Sequence, residues 1–230
     1  MRRILVTLAF CLSFAAPAAA DFEAGRTAYQ NGDHATALKE FQAGADDGEA
    51  EAQAALGIMY ARGEGVEKDM AQAAAWFTKA AEQGHLHAQH LLGRIYHSGA
   101  AGARDVAKAI LWFEKASDGG YAFSQLALLA IYYKGDGVPQ DLVKAAEYAR
   151  LAAEAGLANA QLQYGYMLLA GEGVERQPQE AYFWLYLVTQ EGSQDAVSLL
   201  SQISHDEVSS EQRLVIERRA NDWMAKQKRR

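Results

Sequence analysis

The sequence predicts an all-α fold, a right-handed α-solenoid of stacked antiparallel helix pairs, on three observations. A glycine returns at Gly48, Gly84, Gly120, Gly156 and Gly192, a fixed spacing of 36 residues. Within each period, apolar residues fall at helical spacing in two separate runs. A glycine-bearing loop divides the two runs in every copy, where a helix must reverse direction. A repeat of this length marks a stacked array in which each unit buries its apolar face only against its neighbours. Such an array supplies a long binding surface and rarely a catalytic pocket.

The chain begins with Arg2 and Arg3, an apolar run from Ile4 to Phe14, then Pro17 and Ala18-Ala19-Ala20. Residues 1–20 are expected to be a secretory signal peptide, cleaved before Asp21, because the run is too short to span a bilayer and the small residues suit a signal peptidase. Cys11, the only cysteine, lies inside that run, so the mature chain holds no disulfide and depends on packing alone. Loss of Arg2 and Arg3 takes the formal charge from −7 to −9. Nucleic acid is a poor partner for such a surface, and no later stretch is apolar enough to serve as a transmembrane anchor.

Residues 21–48 carry Gly25, Tyr29, Gly32-Asp33, Ala37-Leu38 and Phe41 and are expected to form one shorter helix hairpin at the N-terminal end. The first full unit follows, with Ala52, Leu56, Met59, Tyr60 and Gly63 on one helix face and Gly57 where a partner helix comes close. The same face returns as Ala88, Leu92, Ile95, Tyr96, Gly99, then Ser124, Leu128, Ile131, Tyr132, Gly135, then Ala160, Tyr164, Met167, Leu168, Gly171. The loops read Gly63-Glu64-Gly65-Val66, Gly135-Asp136-Gly137-Val138 and Gly171-Glu172-Gly173-Val174, while Gly99-Ala100-Ala101-Gly102 is degenerate. Asp69, Asp105 and Asp141 stand as N-caps of the second helix, with Gln72 completing a capping box, and Pro178 follows Gln177 at the fourth. The second helices carry Ala73, Trp76, Phe77, Ala80, Ala81 and their counterparts, with the tryptophans expected in the core. Residues 193–230 add Ala196, Leu200 and Ile203, then a last helix capped by Ser209 and Gln212 and ending in a basic tail.

This pattern of alanine, leucine-glycine, tyrosine, Gly-x-Gly-Val, aspartate, alanine, tryptophan and Ala-Ala-x-x-Gly resembles the Sel-one-like repeat (SLR), a longer relative of the tetratricopeptide repeat, in four copies over residues 49–192. The resemblance implies that the first helix of each pair lines a concave face. Aligned on Gly57, that face holds His87, His90, Arg94 and His97 in the second copy. In the third it holds Phe123, Leu126 and Tyr133, and in the fourth Leu162, Tyr166 and Leu169. A greasy trough thus adjoins a basic end, although the leucines also suit packing between neighbouring first helices. His87 and His90 are adjacent at i, i+3, but His90 and His97 are about 10 Å apart along a helix, so no metal or other cofactor is expected. Unperturbed histidines titrate near pH ~6.5, so affinity for a carboxylate-bearing segment is expected to rise on acidification.

The chain contains no Gly-x-Ser-x-Gly, no His-Glu-x-x-His, no phosphate-cradling glycine loop and no mature cysteine nucleophile, and an enzyme is not expected. The resemblance implies an interaction module of the periplasm, an adaptor or regulator that binds another envelope or secreted protein, with the chain itself a monomer. Two alternatives stay open. Some secreted members of the family bind or hydrolyse β-lactams, but they carry a cysteine pair per repeat that this chain lacks; others meet host proteins as effectors.

Overall fold

The computed structural model describes residues 21–228, so the expected signal peptide and Arg229 and Arg230 of the basic tail lie outside the described residues. Among these residues twelve helices follow one another without a strand. They are α1 (Phe22–Gln30), α2 (His34–Asp46), α3 (Ala50–Arg62), α4 (Met70–Glu82), α5 (Leu86–Ser98), α6 (Val106–Asp118), α7 (Ala122–Lys134), α8 (Leu142–Glu154), α9 (Ala158–Ala170), α10 (Pro178–Thr189), α11 (Gln194–Ser201) and α12 (Ser210–Gln227). Each helix from α2 to α10 packs on the ones before and after it, and α12 turns back onto α10. The protein is an all-α repeat solenoid.

Two helices of a pair approach closely because one side of their contact lacks a side chain. A Cβ placed on Gly57 of α3 would lie 2.6 Å from the Phe77 ring of α4, and one on Gly93 of α5 would lie 2.7 Å from Phe113 of α6. Gly165 meets Leu185 in the same way, and Gly25 of the first hairpin meets Phe41. The third copy reverses the assignment, with Leu129 in the glycine position and Ala149 in the aromatic one, both buried in the same core. Volume is conserved across the contact while its two sides exchange size.

The first helices end on glycines in the left-handed region, Gly63, Gly99, Gly135 and Gly171. The N–H of the residue that caps the second helix then returns to the first helix, Asp69 to the Tyr60 carbonyl, Asp105 to Tyr96, Asp141 to Tyr132 and Gln177 to Leu168. This corrects the capping box expected at Gln72. Asp69 accepts from the backbone of Ala71 and Gln72, but its own N–H is already engaged, and the reciprocal bond is instead made at Ser209 and Gln212. At α10 no side chain caps the helix and Pro178 removes a donor.

Burial separates the tryptophans. Trp112 and Trp184 are buried, whereas Trp76 is only half-buried against Ala45, Ala52 and Leu56, with the Lys79 ammonium over its ring. The sequence pattern placed all of them in the core; Trp76 departs because one side of its ring is left to the lysine stem. A buried glutamine also recurs at Gln53, Gln89, Gln125 and Gln161. Three of these amides donate to the final turn of the preceding helix, Gln53 to the Ala45 carbonyl, Gln89 to Ala81 and Gln161 to Ala153, satisfying carbonyls that a helix end leaves open.

The exchanged contact gives a direct test by double-mutant cycle in urea unfolding. Leu129→Gly alone should cost about 3–5 kcal/mol by leaving a cavity and loosening a helix, and Ala149→Phe alone about 1–3 kcal/mol by overpacking. Together they recreate the Gly57–Phe77 arrangement, so their combined cost should fall below the sum by at least about 1 kcal/mol. Simple additivity would show that the two residues do not share this contact.

Candidate functional site

Three cavities follow one another along the row of first helices. The first, about 680 Å³, lies between α3 and α5 and is lined by Arg62, His87, Arg94, His97 and the loop residue Ala100. The second, about 440 Å³, lies between α5 and α7, where Arg94 and His97 face Phe123, Leu126, Ala130 and Lys134. The third, about 230 Å³, continues past Leu126 and Tyr133 to Asn159 and Gln163 of α9. Helical spacing sets this order, since residues three and four apart share a face.

Phe123 is 56 % exposed and, with His87 and Arg94, faces the open side. Leu126 and Tyr133 are half-buried at the cavity walls. His90 is buried, with Nδ1 2.9 Å from the Ser124 hydroxyl oxygen and its ring packed against Phe113, Tyr121 and Phe123. Leu169 is also buried and belongs to the core, with Leu162 and Tyr166 packed beside it. Leu169 therefore leaves the expected trough for the core, while Leu162 and Tyr166 are half-buried like Leu126 and Tyr133. Leu169, in the last turn of α9, fills the space between helices.

The histidines do not act as three equivalent switches. Burial, then the charges of Arg94 and His87, pushes His90 down to about 4. Burial likewise lowers His87, helped by His85 and Arg94. His97 Nε2 lies 2.9 Å from an Asp136 carboxylate oxygen. The expectation that these histidines charge together in mild acid is thus corrected: His90 is too deeply placed to take a proton there.

A second device lies in the loops, and the expected site residues do not include it. The middle residue of each Gly-x-Gly loop reaches back to the preceding unit. Glu64 accepts from the Tyr29 hydroxyl, Asp136 pairs with His97 and Arg104, and Glu172 accepts from both Tyr133 and Tyr166. The Arg104 guanidinium, followed by His97, holds the Asp136 carboxyl below the usual range. These acids recur at multiples of 36 residues, with Ala100 at the position between Glu64 and Asp136, a signal carried by the charge of the loop as well as by its glycines. The hydroxyls of Tyr133 and Tyr166 consequently have a partner within the chain.

The repeat pattern, the helix pairs and the loops coincide with known sequences. The Sel1 repeat matches residues 50–85, 86–121, 124–157 and 158–192, more than half of the chain. The chain belongs to the Sel1 repeat family. A Sel1 repeat protein from Oxalobacter formigenes shares the fold with a TM-score of 0.74 at 24% identity, over 88% of this chain and 85% of that one. A protective antigen present in uropathogenic Escherichia coli strains, which displays an SLR fold, is 32% identical with a TM-score of 0.74, over 90% of this chain. The match spans 45% of that longer chain. Among curated proteins none matches the sequence.

This Sel1 repeat protein thus has a fold typical of protein–protein interaction scaffolds. Among the described residues no helix is long and apolar enough to cross a membrane, and no three His, Cys, Asp or Glu side chains are gathered to hold a metal ion.

The depressed His90 pKa has a defined consequence for stability. The unfolded imidazole binds its proton near pH ~6.5 and the folded one only at about 4, so stability is complete above the first value and declines as pH falls toward the second. In an imidazole-resolved NMR titration His90 should titrate near 4, and His90→Gln should flatten the loss of stability across that window. A His90 midpoint near ~6.5 would contradict its buried placement.

Proposed function

We propose that this Sel1 repeat protein is a periplasmic interaction module, an adaptor or regulator that seats a segment of another envelope or secreted protein along its row of first helices. One observation carries the reading. On the α5–α7 stretch the exposed Phe123 ring stands beside Leu126 and Ala130, with Arg94 and Lys134 at the margins. Among the described residues neither cation has an ion-pair partner. An exposed aromatic anchor rimmed by charges is the composition of a protein-docking centre. The chain also carries a net charge of −7, so these cations form a local exception that favours an acidic and apolar segment over nucleic acid. The leader-like residues 1–20 support delivery to the periplasm.

The test is site-specific photocrosslinking in intact cells, with the photoreactive residue at Ala130 on the proposed face or at Val143 on α8, which is 68 % exposed. A discrete protein adduct should form from position 130 and not from 143. Phe123→Ala should weaken capture by roughly ten- to a hundredfold, the loss of about 1.5–3 kcal/mol from one buried aromatic. Adducts from 143 alone would place the interaction on another face.

A further inference from the structure

The units are tied together by a recurring latch, and one interface lacks it. At the interface of the second and third units, His97 meets Asp136, while Arg104 donates to the His97 carbonyl and reaches the same carboxylate. At the next interface Tyr133 meets Glu172, and Gln140 donates to the Tyr133 carbonyl. Further on, Arg176 donates to the Leu169 carbonyl and pairs with Glu207. Before the first full unit, Tyr29 meets Glu64, with Arg62 on the Tyr29 hydroxyl.

Between the first and second units every part is changed. Ala61 stands where His97 and Tyr133 stand, Ala100 where Asp136 and Glu172 stand, and Lys68 where Arg104 and Arg176 stand. Among the described residues Lys68 has no hydrogen bond or ion pair to a carboxylate. A cavity of about 680 Å³ opens there, and no aspartate or glutamate lines it. Arg62, Arg94, His87 and His97 do. Of these, His97 is already met by Asp136 at 2.9 Å from outside the cavity, and Arg62 lies 3.9 Å from Glu64, too far for a close hydrogen-bonded pair, while among the described residues Arg94 has no acidic partner.

From this comparison we infer that the cavity between α3 and α5 binds an aspartate or glutamate carboxylate of the partner segment, which takes the place that a loop acid of the protein's own chain takes at the other interfaces. The inference rests on the proposed interaction role and adds the chemistry of one subsite. Arg94 supplies the guanidinium, whose planar fork matches a carboxylate. The small Ala61 and Ala100 leave the entry open, and Ile58, Leu91 and Phe77 give the apolar wall that excludes water and strengthens the pair. The Phe123 end of the same face lies one unit further along, so the segment's acidic residue precedes or follows an apolar one.

The purified protein is titrated into two fluorescein-labelled hexapeptides, one alternating leucine with glutamate and the other alternating leucine with glutamine, with binding read by anisotropy. The glutamate peptide should bind at least about tenfold more tightly, the worth of a charge-assisted hydrogen bond. Arg94→Gln should remove most of that difference. So should Ala100→Glu, which restores the loop acid, and the Ala61→Tyr/Ala100→Glu pair, which rebuilds the Tyr133–Glu172 latch without disturbing the fold. Equal affinity for the two peptides, no binding of the glutamate peptide at concentrations on the order of millimolar, or preference retained in Ala100→Glu would each overturn the carboxylate site. Photocrosslinking from Ala130 would be untouched by that failure, since it reports the Phe123 end alone.

Discussion

The contact between a glycine on one helix and a large side chain on the next sets the geometry on which this solenoid depends. Gly57 and Phe77, Gly93 and Phe113, and Gly165 and Leu185 each bring two helix backbones together at one point. From that point the rest of the unit follows. The second helix starts where its capping residue can return an N–H to the first, and the buried glutamine of the next unit finds the carbonyls at its end. The exchange to Leu129 and Ala149 shows that the constraint is the summed volume of the contact rather than the identity of either residue.

Contacts between units are less uniform than contacts within them, and this difference shapes the binding face. Three interfaces carry a loop acid on a tyrosine or histidine of the preceding unit. At the interface that carries Ala61 and Ala100, cavities of about 680 and 780 Å³ lie on either side of the loop. On the inner side Arg94 has no acidic partner among the described residues, and on the outer side Ala101 takes the place of Gly65 and Gly173. Those glycines let their loops press onto the first turn of the preceding second helix, where a Cβ on Gly173 would stand 1.9 Å from the Leu142 carbonyl. The same substitutions that loosen the stack thereby open the face to a partner.

Much of this was legible in the residues. The 36-residue glycine spacing and the two helical runs fixed the units, and Asp69, Asp105 and Asp141 marked the second helices correctly. Two features were harder to read. His90 and Leu169 lie on the helix face that points toward the groove, but side-chain depth depends on neighbours, and the rings of Tyr121 and Phe123 and the helices after α9 close over them. The loop acids were visible as residues but not as partners, because their ligands sit 35 to 39 positions away in the chain. Periodicity shows where a side chain stands; only the stacked structure shows what it meets.

Native-state hydrogen exchange measures most directly whether these latches govern how the units hold together. If they do, α1 to α4 should open as one cooperative unit, at a free energy below that of α7 to α10, because the Tyr29–Glu64 latch joins α1 to the first full unit while Ala61 and Ala100 leave α3 and α5 unjoined. Progressive fraying, with α1 and α2 exchanging well before α3 and α4, would contradict the account, as would equal protection on both sides of the Ala100 loop.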